Sequence, residues 1–281
     1  MSAPAGSGPT VSEPGLAVLL DLLDLEDLEL NLFRSRQSAA PGRRLFGGQV
    51  AAQALVAAER TVLAEAAAHS LHAYFLRPGD SGAPVVFRVD RLQDGRTFRR
   101  RRVTAIQAGQ PILCLESSFT ADRSTADHHT TRPAAPDPAE CPETDWRVQG
   151  NGLRPDHAFD LRAATTQTGI VRPFVHDLWF RTRGSIDGAR VSPAAVLTYV
   201  SDLTLASVIL RPSGRTDVRG MTSLDHVLWF HNEVRLDDWL LYAKTTPAAG
   251  HMRGLAQGGI FHRDGTLIAS VAQEGLIHAD R

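Results

Sequence analysis

The sequence predicts an α+β fold made of two tandem copies of one unit, each a long apolar helix wrapped by an antiparallel sheet. Two observations predict this arrangement. Each half of the chain contains one long, nearly all-apolar helical segment followed by strand-like segments with turn signals between them. In addition, several blocks of similar sequence recur in the same order at nearly constant spacing. Each copy is therefore expected to bury its own helix against its own sheet.

The first copy begins with a short helix and a strand. Leu16–Leu25 has the apolar spacing of an amphipathic helix, and Leu30–Arg36 is typical of a strand. The next segment, Gly47–Ala66, is rich in Ala and apolar on most sides, which predicts a largely buried helix. From Ser70 to Thr120 the pattern changes to strands separated by turn signals rich in Gly and Pro.

The second copy repeats these blocks. LWFRTR matches NLFRSR, with Phe180 147 residues after Phe33, and Ser192–Leu210 predicts a second buried helix. SLDHVLWF matches SLHAYFL at an offset of 153 residues, and DGTLIASVAQEG matches AGQPILCLESSF at an offset of 156 residues. Because the offsets drift by only nine residues over matched blocks in the same order, we favour a true repeat over a chance likeness.

These blocks divide the chain into four parts. We expect a disordered N-terminus over residues 1–14, rich in Ser, Ala, Gly and Pro, and a first unit over 15–120. A Pro-rich connector is predicted over 121–170 and a second unit over 171–281. A sheet wrapped around one helix is called a hotdog, so the prediction is a double hotdog. Joining the two sheets edge to edge would also cover two exposed sheet edges.

Charge and composition exclude several classes of protein. The chain has 30 Lys plus Arg and 31 Asp plus Glu, which argues against binding nucleic acid by phosphate neutralisation. The apolar stretch Leu16–Leu25 is short and contains Asp21 and Asp24, so no membrane span is expected there. The two cysteines, Cys114 and Cys141, suit a reducing compartment. Without a signal-peptide pattern or a Ser-Lys-Leu address, we expect a cytoplasmic protein.

Asp202 is the most informative candidate for chemistry. On the predicted second helix it shares a face with small or apolar side chains and one hydroxyl, namely Ala195, Thr198, Ala206 and Ile209. A carboxylate in such surroundings either finds hydrogen-bond donors or changes its pKa, and such groups are candidates for acid/base catalysis. A structural Asp bonded to nearby backbone is the alternative. The matched position of the first copy is Leu55, and this asymmetry favours function.

Other polar residues carry weaker signals. Ser223 opens a strand and Gln273 lies at the end of an apolar strand, and each could instead be a strand-end or turn hydrogen-bonding group. Glu59, on the first helix, is the rival acid. Two adjacent glycines before that helix allow close packing or expose backbone N–H groups at its positive end, which makes Gly47, Gly48 and Gln49 candidates for substrate binding.

Further motifs mostly exclude functions. The run RRRR places Arg99 and Arg101 on one strand face; the pattern favours a solvated sheet edge, and binding of an anionic ligand is the alternative. The histidines lack the spacing of a metal site, so no metal is expected. No Gly-x-Ser-x-Gly elbow occurs, which disfavours a serine hydrolase of that kind.

Five motifs in register resemble the acyl-CoA thioesterase II (TesB-type) family: RLFGGQVAAQAL, HSLHAYFLRPGD, LTYVSDLTL, LDHVLWFH and DGTLIASVAQEG. The resemblance covers roughly Leu16 to Gly275 and implies a double-hotdog enzyme that hydrolyses fatty acyl-CoA to fatty acid and CoA. It also implies a homodimer or homotetramer and no cofactor. Residue by residue, the family's catalytic Asp, Thr or Ser, and Gln fall on Asp202, Ser223 and Gln273. Ser here replaces the Thr that is commoner in bacterial members.

The implied mechanism is attack by a water on the thioester carbonyl. Asp202 would take the proton of this water, and Ser223 and Gln273 would position it. Attack by Asp202 itself is the open alternative. Two other functions remain, a non-catalytic acyl-CoA binding or sensing protein and a hotdog hydratase or dehydratase. The absence of His from Ala194–Leu210 counts against the hydratase.

Overall fold

The computed structural model describes residues 14–36, 44–121, 128–144, 158–164, 177–213 and 221–278. The predicted disorder of the N-terminus lies outside the described residues, except that Pro14 begins the first helix. Most of the described residues belong to three α-helices and one antiparallel sheet. The helices are α1 Pro14–Leu23, α2 Gly47–Glu59 and α3 Pro193–Ser201, with shorter 3₁₀ segments at Pro138–Glu140 and Ala206–Ser213.

Thirteen strands form one continuous sheet. In the first half they are β1 Leu25–Glu29, β2 Leu32–Ser35, β3 Ala67–Phe75, β4 Val86–Asp94, β5 Phe98–Gln107 and β6 Gln110–Thr120. In the second half they are β7 Phe159–Ala163, β8 Leu178–Thr182, β9 Met221–Ser223, β10 Asp225–Phe230, β11 Leu240–Gly250, β12 Arg253–His262 and β13 Leu267–Ile277.

The strand order shows the predicted repeat. Along the sheet the order is β1-β2-β4-β5-β6-β3-β10-β13-β12-β11-β8-β7, so the second half mirrors the first about the β3–β10 pair. At this junction Ser70 pairs with Trp229 and Tyr74 with Asp225, in an antiparallel ladder. The two sheets are therefore joined edge to edge into one, and the prediction of an α+β double hotdog is confirmed.

The two central helices lie side by side under the sheet and run antiparallel. In α2, eleven consecutive residues from Gly48 to Ala58 are buried, as expected for an Ala-rich helix that allows close packing. The N-terminus of α2, at Gly47, lies against Asp202 at the C-terminus of α3. At the opposite end, Ser192, which caps α3, hydrogen-bonds Glu59 in the last turn of α2. Each pair of helix ends thus meets head to tail.

Both central helices are shorter than predicted. α2 ends at Glu59 rather than Ala66, and α3 ends at Ser201, so Asp202 follows the helix instead of lying on a continuous helix to Leu210. In each case a hydroxyl bonds a carbonyl of the last turn: Thr61 Oγ1 to Ala58 O and Ser201 Oγ to Thr198 O. Such side-chain bonds compete with helix propagation, and the apolar pattern alone did not reveal them.

Two other segments bear on the predictions. Within 121–170, predicted as an irregular connector, Phe159–Ala163 forms β7 and pairs with β8, so this part is a strand of the sheet. Pro193–Leu210 has the length and hydropathy of a membrane span, but 83% of this stretch is buried inside the fold. Burial at that level is what a core segment of a double hotdog requires.

Candidate active site

Asp202, Ser223 and Gln273, which lie far apart in the sequence, meet between α3, β9 and β13. The amide nitrogen of Gln273 donates to Asp202 Oδ1 at 2.6 Å and to Ser223 Oγ at 2.8 Å. Gln273 is fully buried and Asp202 is 9% exposed, while Ser223 is half-buried. One amide therefore fixes the orientation of both a carboxylate and a hydroxyl in a largely desolvated place.

The local sequence explains why these three side chains converge. Alternation along β13 directs Gln273 inward, in line with Val271 and the side-chain-free Gly275. Ser223 pairs with Gly275, so its side chain lies beside Gln273. Leu224, between β9 and β10, donates its N–H to the Glu274 carbonyl and accepts the Phe75 N–H at its own carbonyl. These two bonds fix the position of the neighbouring Ser223 relative to the joined sheets.

A cavity of about 510 Å³ opens next to these residues. Asp202 and Ser223 line it, whereas Gln273 lies behind them and reaches it only through their side chains. The rest of the wall is mainly apolar and comes from both halves of the chain, including Phe46, Val50, Phe75, Ile112, Leu203, Ala206 and Met221. The site is therefore an apolar cavity with a tethered carboxylate at its wall.

The start of α2 faces the same cavity. Gly47 lines it, and a Cβ built on Gly47 would be 3.1 Å from Asp202 Oδ2. The first N–H groups of a helix have no partner within the helix, and the preceding residue Phe46 makes no side-chain cap hydrogen bond. Gly48 and Gln49 follow in the same turn and are buried. This helix end can therefore donate hydrogen bonds to negative charge developing beside Asp202.

The opposite pair of helix ends lacks these properties. At the start of α3, the Ser192 hydroxyl accepts the N–H of Ala195 at 3.0 Å, and Pro193 has no N–H to donate. The rival acid Glu59 lies here and accepts a hydrogen bond from Ser192 at 2.8 Å. Burial raises the pKa of Glu59 to about 7, and the bond from Ser192 partly offsets this. Glu59 does not line the Asp202 cavity.

The predicted arginine pair does not reach this cavity. Arg101 is 1% exposed, and its guanidinium donates to Thr61, Gln93, Arg100 and Asp94. All of these hydrogen bonds lie inside the fold, next to Thr61 just after the end of α2. The prediction that Arg101 binds an anionic ligand is therefore wrong. Arg99 is on the same face of β5 and does not line the cavity either.

Arg101 should therefore contribute to stability rather than to substrate binding. We expect Arg101→Ala to lower the free energy of unfolding by about 3 kcal/mol, because buried acceptors lose a charged donor. The substrate KM should not change. Denaturant unfolding and steady-state kinetics measure the two effects, with the exposed Arg102→Ala as the matched control. A raised KM at unchanged stability would contradict this assignment.

Sequence reasoning missed several residues around the site. Arg44 and Arg77 are exposed and line the cavity, but neither of them was assigned a role from the sequence. His226 is fully buried, with Nδ1 4.0 Å from Asp202 Oδ1. Burial lowers the pKa of His226, and the Asp202 charge opposes this. Tyr242 donates its hydroxyl to Ser201 O at 2.9 Å, and burial raises its pKa well above the ordinary value.

The fold and the site together define a double-hotdog protein with a buried carboxylate on an apolar cavity. Residues 35–121 match the family model described as the acyl-CoA thioesterase N-terminal domain. Residues 120–277 match the model described as the acyl-CoA thioesterase C-terminal domain. The chain therefore belongs to the acyl-CoA thioesterase II (TesB-type) family, a family of thioester hydrolases, and the resemblance of its motifs is confirmed.

Individual relatives agree with this assignment. The chain is 35% identical to human acyl-coenzyme A thioesterase 8, over 97% of this chain and 93% of the relative. It is 34% identical to acyl-CoA thioesterase 2 of Haemophilus influenzae, over 92% of this chain and 96% of the relative. Among solved structures, acyl-CoA thioesterase II TesB2 of Mycobacterium marinum matches with a TM-score of 0.80 and 37% identity, over 93% of this chain and 98% of that one.

Proposed function

We propose that this thioesterase hydrolyses fatty acyl-CoA to free fatty acid and CoA through a water activated by Asp202, Ser223 and Gln273. The observation that carries the proposal is the pair of hydrogen bonds from one buried Gln273 amide to Asp202 and Ser223. These bonds orient a carboxylate and a hydroxyl toward the same apolar cavity, which is what a general base and its water require.

The roles of the three residues follow from their hydrogen bonds. Asp202 Oδ1 is occupied by Gln273, which leaves Oδ2, the oxygen nearest Gly47, to accept the proton of the water. Because Gln273 donates to Ser223 Oγ, the Ser223 hydroxyl keeps its own proton for the water oxygen. The water can then donate to Asp202, accept from Ser223 and attack the thioester carbonyl with its remaining lone pair.

The start of α2 would stabilise the oxyanion formed in this attack. Its free N–H groups at Gly47 and Gly48 lie at the positive end of the helix dipole, beside Asp202. Collapse of the tetrahedral intermediate then expels the CoA thiolate, a good leaving group because thiols ionise at a pKa of roughly 8.5. The proton taken by Asp202 can return to the sulfur, so water and thioester yield acid and thiol.

The cavity wall supports a fatty acyl substrate. Its apolar lining can bury an alkyl chain, which is favourable by about 0.8 kcal/mol per CH₂ group. At the exposed edge of the cavity, Arg44 and Arg77 add two cations that could meet the phosphates of CoA. An apolar chain and a polyanionic group are the two ends of an acyl-CoA molecule.

Arg77→Ala should weaken binding of the CoA part. We expect KM for acyl-CoA to rise about 5- to 10-fold with kcat unchanged, because an exposed charge pair contributes about 1 kcal/mol. The measurement is steady-state thiol release, with Arg88→Ala as the control because Arg88 is exposed on β4 and does not line the cavity. The effect should vanish with S-acyl-pantetheine, which lacks the nucleotide phosphates. An equal rise in KM for that substrate would contradict the assignment.

Thiol release by the purified protein from a chain-length series of acyl-CoA esters tests the proposed function. We expect turnover with at least one chain length and formation of free fatty acid in equal amount. Tight binding of acyl-CoA without thiol release would favour the binding or sensing protein instead. Consumption of an enoyl-CoA with the thioester intact would favour the hydratase. The cytoplasmic location and the homodimer or homotetramer stay predictions.

A further inference from the structure

His226 is the one imidazole within reach of the Asp202 carboxylate among the residues that the structure describes. It lies on the inward face of β10, three residues after Ser223, and is fully buried. Its Nε2 is 2.8 Å from Ser201 Oγ, and its Nδ1 is 4.0 Å from Asp202 Oδ1. The ring therefore bridges the last residue of α3 and the candidate general base that follows it.

The hydrogen bonds of Ser201 determine which ring nitrogen carries the proton. The Ser201 hydroxyl donates to Thr198 O at 2.9 Å, so its single proton is used there. Ser201 Oγ must then accept from His226, which makes Nε2 the protonated nitrogen of the neutral ring. Nδ1 is consequently an unprotonated nitrogen. It is buried and has no hydrogen-bond partner among the described residues.

The Nδ1 lone pair therefore faces a carboxylate oxygen across a buried gap of 4.0 Å. A proton bound at Nδ1 would turn this contact into an ion pair, because an imidazolium next to Asp202 Oδ1 attracts the carboxylate. Protonation of His226 would thus weaken the carboxylate as a base.

We propose that His226 is a positioning residue for the hydrolysis: its neutral ring, held by Ser201, leaves the Asp202 carboxylate available as the base, and a proton at Nδ1 disables that carboxylate. This proposal rests on the proposed role of Asp202. Protonation of His226 then sets the acid limb of the pH–rate profile.

The other ionisable groups near Asp202 and His226 form hydrogen bonds with partners other than the Asp202 carboxylate. Asp225, the neighbour of His226 on β10, accepts the Glu274 N–H through its carboxylate at 2.6 Å. Tyr242 on β11 bonds the Ser201 carbonyl, and Lys244 on the same strand bonds Thr204 in the turn after α3. Of the described groups around Asp202, His226 is the one with an unpartnered buried nitrogen directed at the carboxylate.

The matched variant is His226→Gln, whose side-chain nitrogen can still donate to Ser201 but cannot take up a proton. We expect the midpoint of the acid limb of kcat/KM to move to lower pH by about one unit or more, because the group that takes up a proton beside the carboxylate is gone. A structural role alone would lower kcat/KM by the same factor at every pH. An unmoved midpoint in a folded His226→Gln protein would overturn the proposal.

Nitrogen-15 NMR of the wild-type imidazoles at pH 8 tests the tautomer without any assay of hydrolysis. Of the 11 histidine signals, the one that changes in Ser201→Ala is assigned to His226. We expect this signal to be that of a neutral ring protonated at Nε2. A His226 ring protonated at Nδ1 would overturn the proposal even if the enzyme hydrolyses acyl-CoA. This experiment also serves if His226→Gln fails to fold. Absence of thiol release from wild type would instead refute the proposed function.

Discussion

Asp202→Asn should reduce thiol release from acyl-CoA by about 1000-fold in kcat, with little change in stability. Asn has the same shape and can still accept the Gln273 amide proton at its oxygen, so the hydrogen bond that is 2.6 Å long in the wild type can persist. What is lost is the ionised oxygen beside Gly47 that would take the proton of the water. General-base catalysis is typically worth a factor of 10² to 10⁴.

The matched control for this variant is Glu59→Gln. Glu59 is the other acid on the central helices, but it bonds Ser192 at the capped helix end and does not line the cavity. We expect Glu59→Gln to retain kcat within about twofold. If Asp202→Asn lost less than tenfold, or if Glu59→Gln lost as much as Asp202→Asn, the assignment of the base to Asp202 would be wrong.

Gly47→Ala should lower kcat/KM by about 100-fold. The new methyl group would be 3.0 Å from the Phe75 ring and 3.1 Å from Asp202 Oδ2, closer than most Cβ contacts. It would occupy the space between the carboxylate and the helix end, where the water and the thioester carbonyl have to meet. A displacement of about 1 Å at a reacting group can cost about 10² in rate.

Stability should respond differently to this change. Ala is a better helix former than Gly, which offsets part of the crowding, so we expect the Tm of Gly47→Ala to stay near that of the wild type. Gly48→Ala provides the comparison, because its methyl group would be 2.8 Å from the rigid carbonyl oxygen of Tyr199 and should lower the Tm. Gly47→Ala with wild-type kcat/KM would show that this space is not used by the reaction.

Most of the architecture could be predicted because the chain carries its own internal comparison. Blocks matched by sequence, such as those containing Phe33 and Phe180, occupy equivalent strands β2 and β8 of the mirrored sheet. The same internal comparison singled out Asp202 against Leu55, and Asp202 lines the cavity that both halves of the chain form. A repeat makes such inferences possible because a departure from it is visible in one sequence.

The helix ends and the side-chain contacts around the site could not be predicted, because they depend on contacts that a sequence pattern does not show. The helix ends at Ser201 and Thr61 are set by hydroxyl bonds to the last turn. Arg101 shares a strand face with Arg99, yet its guanidinium is enclosed by the end of α2. Arg44 and Arg77 belong to different segments of the chain yet line the same cavity, near the isolated β-bridge that pairs Arg44 with Asp80. The sequence likewise does not show that Gln273 lies behind the cavity wall and bonds Asp202 and Ser223.

In the proposed mechanism, a water held by Asp202 attacks the thioester directly. A single turnover with enzyme in excess over acyl-CoA, in water enriched in ¹⁸O, tests it. We predict that the free acid carries one ¹⁸O atom from this first turnover and that the peptide containing Asp202 gains no mass. Unlabelled acid with ¹⁸O in that peptide would show attack by Asp202 itself and contradict direct attack by water, and the absence of any acid would contradict the hydrolysis.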